Sequence, residues 1–323
     1  MAPPRIVARP FYHPPTEPLR YLPESPRVLR NHPDGSGLVG WVAIQHGADS
    51  TEGSLNVLRP ATGENRSFPL KGRPGFFAET IEPGVLIVGL ERRLAWCDLA
   101  NGGFEKRSIA VTADERVILN DGLAVEGGMI FGTKDLKFHD PIAALYFFHA
   151  ATGEVHTLRE GQTCSNGKVL FRDAAGATLI DIDTKPKAIT RYRLDSALRR
   201  ITDHSLVIDP NVLPGYPDGM RPAPDNRSVV VAIYNPAQIA DGLALQIRLS
   251  DGAVLCEWEI PGSPRVTCLE FIEMDGQVKL LFTTAVEGMD AATRAIAPGA
   301  GLLYIADAPQ FDALPAPPPL LPA

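Results

Sequence analysis

Residues Leu145-Tyr146-Phe147-Phe148-His149-Ala150-Ala151-Thr152-Gly153 form a short apolar run closed by a Thr-Gly turn. A run of this length, rich in aromatic residues and ended by a Gly that tolerates positive φ, reads as one arm of a β-hairpin. The pattern recurs at Leu55–Gly63, Leu94–Gly102, Ile189–Asp195, Ala244–Gly252 and Gly301–Asp307. Six copies spaced roughly 40 to 55 residues apart are the signature of a repeat architecture. Further strand-length runs, such as Gly84–Gly89, Gly128–Gly132 and Ser228–Ala232, lie between the copies, and helical periodicity is nearly absent. The reading is all-β, a six-bladed β-propeller with four-stranded blades, because radial packing of such blades leaves few sheet edges open. A two-sheet sandwich explains the strands but not their even recurrence.

The 30 prolines and 29 glycines punctuate the strands rather than cluster in one tract, so they signal turns and not disorder. The exceptions are the ends. Residues 1–18 read as a Pro-rich N-terminal extension, 19–308 as the propeller domain and 309–323 as a Pro-rich C-terminal tail, both ends extended over the surface or disordered.

A net charge of -7 and scattered Lys and Arg argue against nucleic-acid binding, which needs clustered cations facing phosphates. No apolar run is long enough to cross a bilayer, and the opening segment lacks the apolar core of a secretory signal. Cys97, Cys164, Cys256 and Cys268 lie far apart without a Cys-x-x-Cys pair, and read as buried free thiols. A monomeric cytoplasmic protein acting on a small molecule is the expectation.

Several chemistries are disfavoured. There is no Gly-x-Ser-x-Gly elbow, no phosphate-cradling loop and no His-Glu-x-x-His helix, and the seven histidines never fall at ligand spacing. What remains are four segments in which a carboxylate or amide stands at the start of a predicted blade: Leu22-Pro23-Glu24-Ser25-Pro26, Leu119-Asn120-Asp121-Gly122, Cys164-Ser165-Asn166-Gly167 and Tyr216-Pro217-Asp218-Gly219-Met220. Each alone is an ordinary turn. Asn120, Asn166 and Asp218 are spaced by roughly one blade, however, and equivalent positions on successive inner strands converge on a propeller's channel. Four oxygen-bearing side chains then face one point. Two carboxylates with amide oxygens suit a hard cation, Ca²⁺ ahead of Mg²⁺ or Mn²⁺, with Zn²⁺ behind for want of nitrogen or sulfur ligands.

In these four motifs, taken in order and spacing, the chain resembles the gluconolactonase, regucalcin (senescence marker protein) and luciferin-regenerating family over residues 20 to 308. Phe131-Gly132-Thr133, Ala144-Leu145-Tyr146 and Gly301-Leu302-Leu303-Tyr304 are supporting echoes. The resemblance implies a metal triad of Glu24, Asn166 and Asp218 with Asn120 beside it. It further implies hydrolysis of a lactone or ester, with the metal as Lewis acid, Asp218 doubling as general base and Asn120 orienting water or substrate. Asp121 reads as a supporting turn residue. Organophosphate hydrolysis, a biosynthetic ring-opening or ring-closing step, and a non-enzymatic calcium-binding propeller are the alternatives, since fold alone does not select among them.

The chain departs from the family pattern at Ser25, at Arg27-Val28, which replaces a frequent aromatic tail, and at Ile118. Ser25 stands where the family has Gly, and Ile118 stands where sugar-lactone members often carry a hydroxyl-binding Arg. Ile118 predicts an apolar pocket wall and a less hydroxylated substrate. Arg116 is the other candidate donor, although two residues along the strand set it about 7 Å away. The segment Lys134–Pro141, with His139 near its tip, is expected to overhang the mouth and touch substrate.

Overall fold

All six recurring runs are the third strands of sheets. In a computed structural model, which describes residues 2–173 and 176–323, the chain forms six antiparallel four-stranded blades arranged as a β-propeller. Blade 1 comprises Pro23–Leu29, Leu38–Ala43, Gly53–Arg59 and Glu64–Leu70; blade 2, Pro74–Glu79, Val85–Leu90, Arg93–Asp98 and Glu105–Ala110. Blade 3 comprises Val117–Val125, Gly128–Asp135, Ala143–His149 and Glu154–Gln162; blade 4, Ser165–Asp173, Gly176–Asp183, Ala188–Leu194 and Ile201–Leu206. Blade 5 is Tyr216–Pro222, Ser228–Tyr234, Gly242–Arg248 and Val254–Ile260. Blade 6 takes Val266–Met274, Gln277–Thr284 and Leu303–Asp307 from the C-terminal part of the chain, and its outermost strand, Arg9–Tyr12, from the N-terminus.

Hydropathy explains the order within a blade. Second strands such as Leu38–Ala43 and Val85–Leu90 are buried at every position, since neighbouring blades cover both their faces. An outermost strand such as Ile201–Leu206 is mostly exposed. The core therefore lies between blades. Phe76 of blade 2 meets Phe131 of blade 3 with ring centroids 5.8 Å apart, inside one cluster that also holds Ile87, Trp96, Leu119 and Met129. Burying side chains of this size contributes roughly 2 to 3 kcal/mol each, which is how sheets joined only by loops hold their angles.

The structure redraws the boundary at residue 18. Arg9–Tyr12 pairs with Leu303–Asp307, and Arg5–Val7 adds a parallel fifth strand to the edge of blade 5. The Pro-rich N-terminus thus closes the ring. Pro10 is tolerated because Arg9–Tyr12 is an edge strand, while Pro3, Pro4, Pro14 and Pro15 lie outside the strands. The C-terminal tail is extended and docked: Leu321 is buried against blade 2 and exchanges backbone hydrogen bonds with Glu79 and Ile81 at 3.0 and 2.8 Å. Leu314–Pro319 crosses the channel end where the inner strands finish, over a cavity of about 710 Å³ that also touches Arg27, Arg221 and Glu270. All four cysteines are buried and free. Among the described residues no helix is long and apolar enough to cross a membrane.

Candidate active site

The four sequence motifs share one structural device. Every inner strand slips register with its neighbour at the same level: between Glu24 and Arg27, Pro74 and Phe76, Leu119 and Gly122, Ser165 and Lys168, Pro217 and Met220, and Val266 and Cys268. A bulge re-aims the side chains at the slip. A ring of six bulges therefore presents Glu24, Asn120, Asn166 and Asp218 from blades 1, 3, 4 and 5 at the end of the channel opposite the cavity under the tail.

Glycines after the polar residues let the strands close on one another. A Cβ at Gly167 would lie 2.4 Å from the Met220 backbone nitrogen, and one at Gly219 would lie 2.7 Å from the Cα of Cys268. Blade 1 escapes this rule, which explains Ser25. Its neighbour at the same level is Gly75, whose carbonyl accepts a 3.2 Å hydrogen bond from the Ser25 hydroxyl. The Ser25 backbone holds a positive φ of 47°, and its N–H donates to the Glu24 carboxylate at 3.1 Å. Strain of this kind costs on the order of 1 kcal/mol and is held in place by the surrounding contacts.

The amide side chains are anchored by their nitrogens. Asn120 Nδ2 donates to the Ser165 carbonyl at 3.1 Å, and Asn166 Nδ2 donates to the Thr184 hydroxyl at 2.9 Å. Thr184 in turn donates to the Pro217 carbonyl at 2.9 Å, tying blade 4 to blade 5. Among the described residues no hydrogen bond engages either Oδ1. Asp218 is 7% exposed, and its Oδ1 is buried with no hydrogen-bond partner among the described residues. Asp121 is also buried and turns back to accept a 2.6 Å hydrogen bond from the Gly122 N–H.

Glu24 and Asp218 feel each other's charge although they stand on blades 1 and 5. Burial, with the charge of Asp121, pushes Glu24 up to about 8. Burial and the charge of Glu24 hold Asp218 well above the ordinary carboxylate range. Like charges gathered in a dry site disfavour the ionised form. The buried Cys164 thiol is likewise pushed up by burial, which removes it as a nucleophile.

The donor chemistry fits a hard divalent cation. An unpartnered buried carboxylate is a feature that demands a partner, and amides whose nitrogens are tied back offer oxygen alone. Among the described residues no three His, Cys, Asp or Glu side chains form a metal-holding cluster. The set here has two carboxylates, with amides completing it.

The expected substrate contacts fall in different places. Asn120 is in the ring of bulges. Ile118 is buried on the same strand, directly paired with Lys134. Arg116 and His139 lie on the outer rim with side chains 63% and 83% exposed, bonded to Asp114 and Asp140. Neither shares a hydrogen bond or ion pair with the four residues of the bulges. Sequence reasoning passed over Thr184, and it treated Lys134 only as the first residue of a loop. Counting register back from the Val125–Gly128 hairpin would pair Lys134 with Leu119; the bulge between Leu119 and Gly122 shifts its partner to Ile118, so this pairing is set by the structure.

The molecule is a six-bladed propeller with a carboxylate- and amide-lined mouth. It belongs to the SMP-30/Gluconolactonase/LRE-like family, whose model matches residues 22–286. It is 26% identical over 243 residues to an L-arabinolactonase of Azospirillum brasilense, covering 74% of this chain and 76% of that protein. Among solved structures it is similar to a calcium-binding regucalcin of Agrobacterium tumefaciens, with TM-score 0.80 and 21% identity over the whole of both chains. It is also similar to a gluconolactonase of Xanthomonas campestris, with TM-score 0.64, 16% identity and coverage of 95% and 94%.

Proposed function

We propose that this protein is a divalent-metal-dependent hydrolase that opens a small-molecule lactone or ester. The observation that carries the reading is the buried, unpartnered Asp218 carboxylate beside Glu24 and two amides whose oxygens are free. The lactonase relative and the calcium-binding neighbour support it.

Glu24, Asn166 and Asp218 would hold the ion, Ca²⁺ before Mg²⁺, Mn²⁺ or Zn²⁺. When bound, such an ion polarises the scissile carbonyl and stabilises the charge that develops on its oxygen. The remaining work belongs to the chain. Asp218 takes the proton of the attacking water, helped by burial and the neighbouring Glu24 charge, which raise its basicity. Asn120, held by Ser165, orients water or substrate. The ring of bulges keeps these groups on inner strands rather than on loops, so little reorganisation accompanies the reaction. The same reading has the protein acting as a monomer in the cytoplasm.

The test is a screen of lactones, aryl esters and organophosphates with chelator-stripped protein, resupplied with each cation in turn. Turnover of a lactone that is lost on stripping and restored by a cation supports the proposal. Tight calcium binding with no turnover of any compound would leave the non-enzymatic calcium-binding reading in its place.

A further inference from the structure

Three lysines are buried among the described residues: Lys134, Lys168 and Lys279. Two are explained by their partners. Lys168 lies 3.3 Å from Asp181, and Lys279 lies 2.6 Å from Asp307. The side chain of Lys134, a residue only 6% exposed, makes no hydrogen bond and no ion pair with any described residue. The ring of Phe138 lies beside it, with Nζ 5.3 Å from the centroid. The Lys134 ammonium is nevertheless not among the buried unpartnered side-chain atoms, so the stem is covered while the charged end keeps access to solvent.

Its place is set by three observations. Lys134 stands directly across from Ile118 in the blade 3 strand pair, so the two side chains share a face. A backbone bridge joins Lys134 to Cys164 at the entry to blade 4. Its positive charge is felt by Glu24 of blade 1 and by Asp218 of blade 5. A lysine on blade 3 that acts on both stands at the shared mouth. The apolar wall expected from Ile118 is therefore half of a pair whose other half is a cation.

We propose that Lys134 is the substrate-recognition cation of this site, and that the lactone it takes carries a carboxylate, which the Lys134 ammonium binds while Phe138 covers the lysine stem. The proposal rests on the lactone-hydrolase reading above. Glu24 and Asp218 are committed to the metal in that reading, which leaves Lys134 as the charge without a partner. A carboxylate is favoured over a phosphate because the recognising group is a single ammonium rather than an arginine fork; Arg116, the other donor expected here, is turned to Asp114.

A matched pair of γ-lactones tests it: 5-oxotetrahydrofuran-2-carboxylate, and γ-valerolactone, which has a methyl group in place of the carboxylate. The proteins are wild type, Lys134→Met and Lys134→Arg, each checked for an unchanged melting curve. Wild type should prefer the carboxylate lactone, and Lys134→Met should lower kcat/KM for it about tenfold or more, the range of a charge-assisted hydrogen bond. The loss should fall mainly on KM. Turnover of γ-valerolactone should change little, and Lys134→Arg should keep the preference. Equal losses on both lactones, or a wild-type preference for the neutral one, would overturn the role of Lys134 while leaving the lactonase reading intact. If neither lactone is turned over, calorimetric titration of calcium-loaded protein with glutarate decides separately: binding that weakens about tenfold in Lys134→Met upholds the anion site, and equal or absent binding refutes it.

Discussion

Glu24→Gln removes one of two buried carboxylates that repel each other, and its effect on stability follows from the electrostatics. The native site pushes Glu24 from 4.5 up to about 8, chiefly by burial and then by the charge of Asp121. A carboxyl that binds its proton more tightly in the folded state loses stability as pH rises between its unfolded and folded values. The metal-free protein should therefore weaken from about pH 4.5 to about pH 8. With those two values, ionising or burying Glu24 near neutral pH costs about 3 kcal/mol. For 323 residues at roughly 2 cal/mol/K per residue, that is a shift in Tm of about 5 °C. The assay is thermal denaturation of chelator-stripped wild type and Glu24→Gln across this pH range. Wild type should lose Tm with rising pH, while the variant should show a flatter profile and a higher Tm at the alkaline end. Added calcium should stabilise wild type most at alkaline pH and the variant least. Parallel profiles for the two stripped proteins would refute the placement of Glu24 in a dry, like-charged site.

Asp218→Asn should lower turnover of any working substrate about a hundredfold or more with the fold intact by circular dichroism; undiminished turnover would exclude it as the base. Gly219→Ala forces a Cβ to 2.3 Å from the Cys268 sulfur and should cost about 1 to 3 kcal/mol, read as a lower Tm. Removing residues 2–12 strips the outermost strand from blade 6 and should leave a sticky edge, seen as aggregation on size-exclusion chromatography and early melting.

Much of the architecture was legible because a blade is a local object. Each third strand carries its own apolar run and closing turn, so Leu145–Gly153 and its five counterparts announce themselves without knowledge of their neighbours. The polar-then-Gly motifs were legible for a related reason. Gly167 and Gly219 are required by the strand of the next blade, and that requirement leaves a mark in the sequence. Other features depend on residues far apart in the chain. Arg9–Tyr12 reads as a Pro-rich leader until Leu303–Asp307 arrives to pair with it. Ser25 reads as a defect until Gly75 is set beside it. Ile118 reads as an apolar wall until register brings Lys134 across from it and the curve of the ring brings that charge to Glu24 and Asp218. Turn chemistry and strand periodicity act between near neighbours and can be read from sequence, whereas charge, burial and steric room at the mouth are set by the closure of the ring, which only the tertiary structure decides.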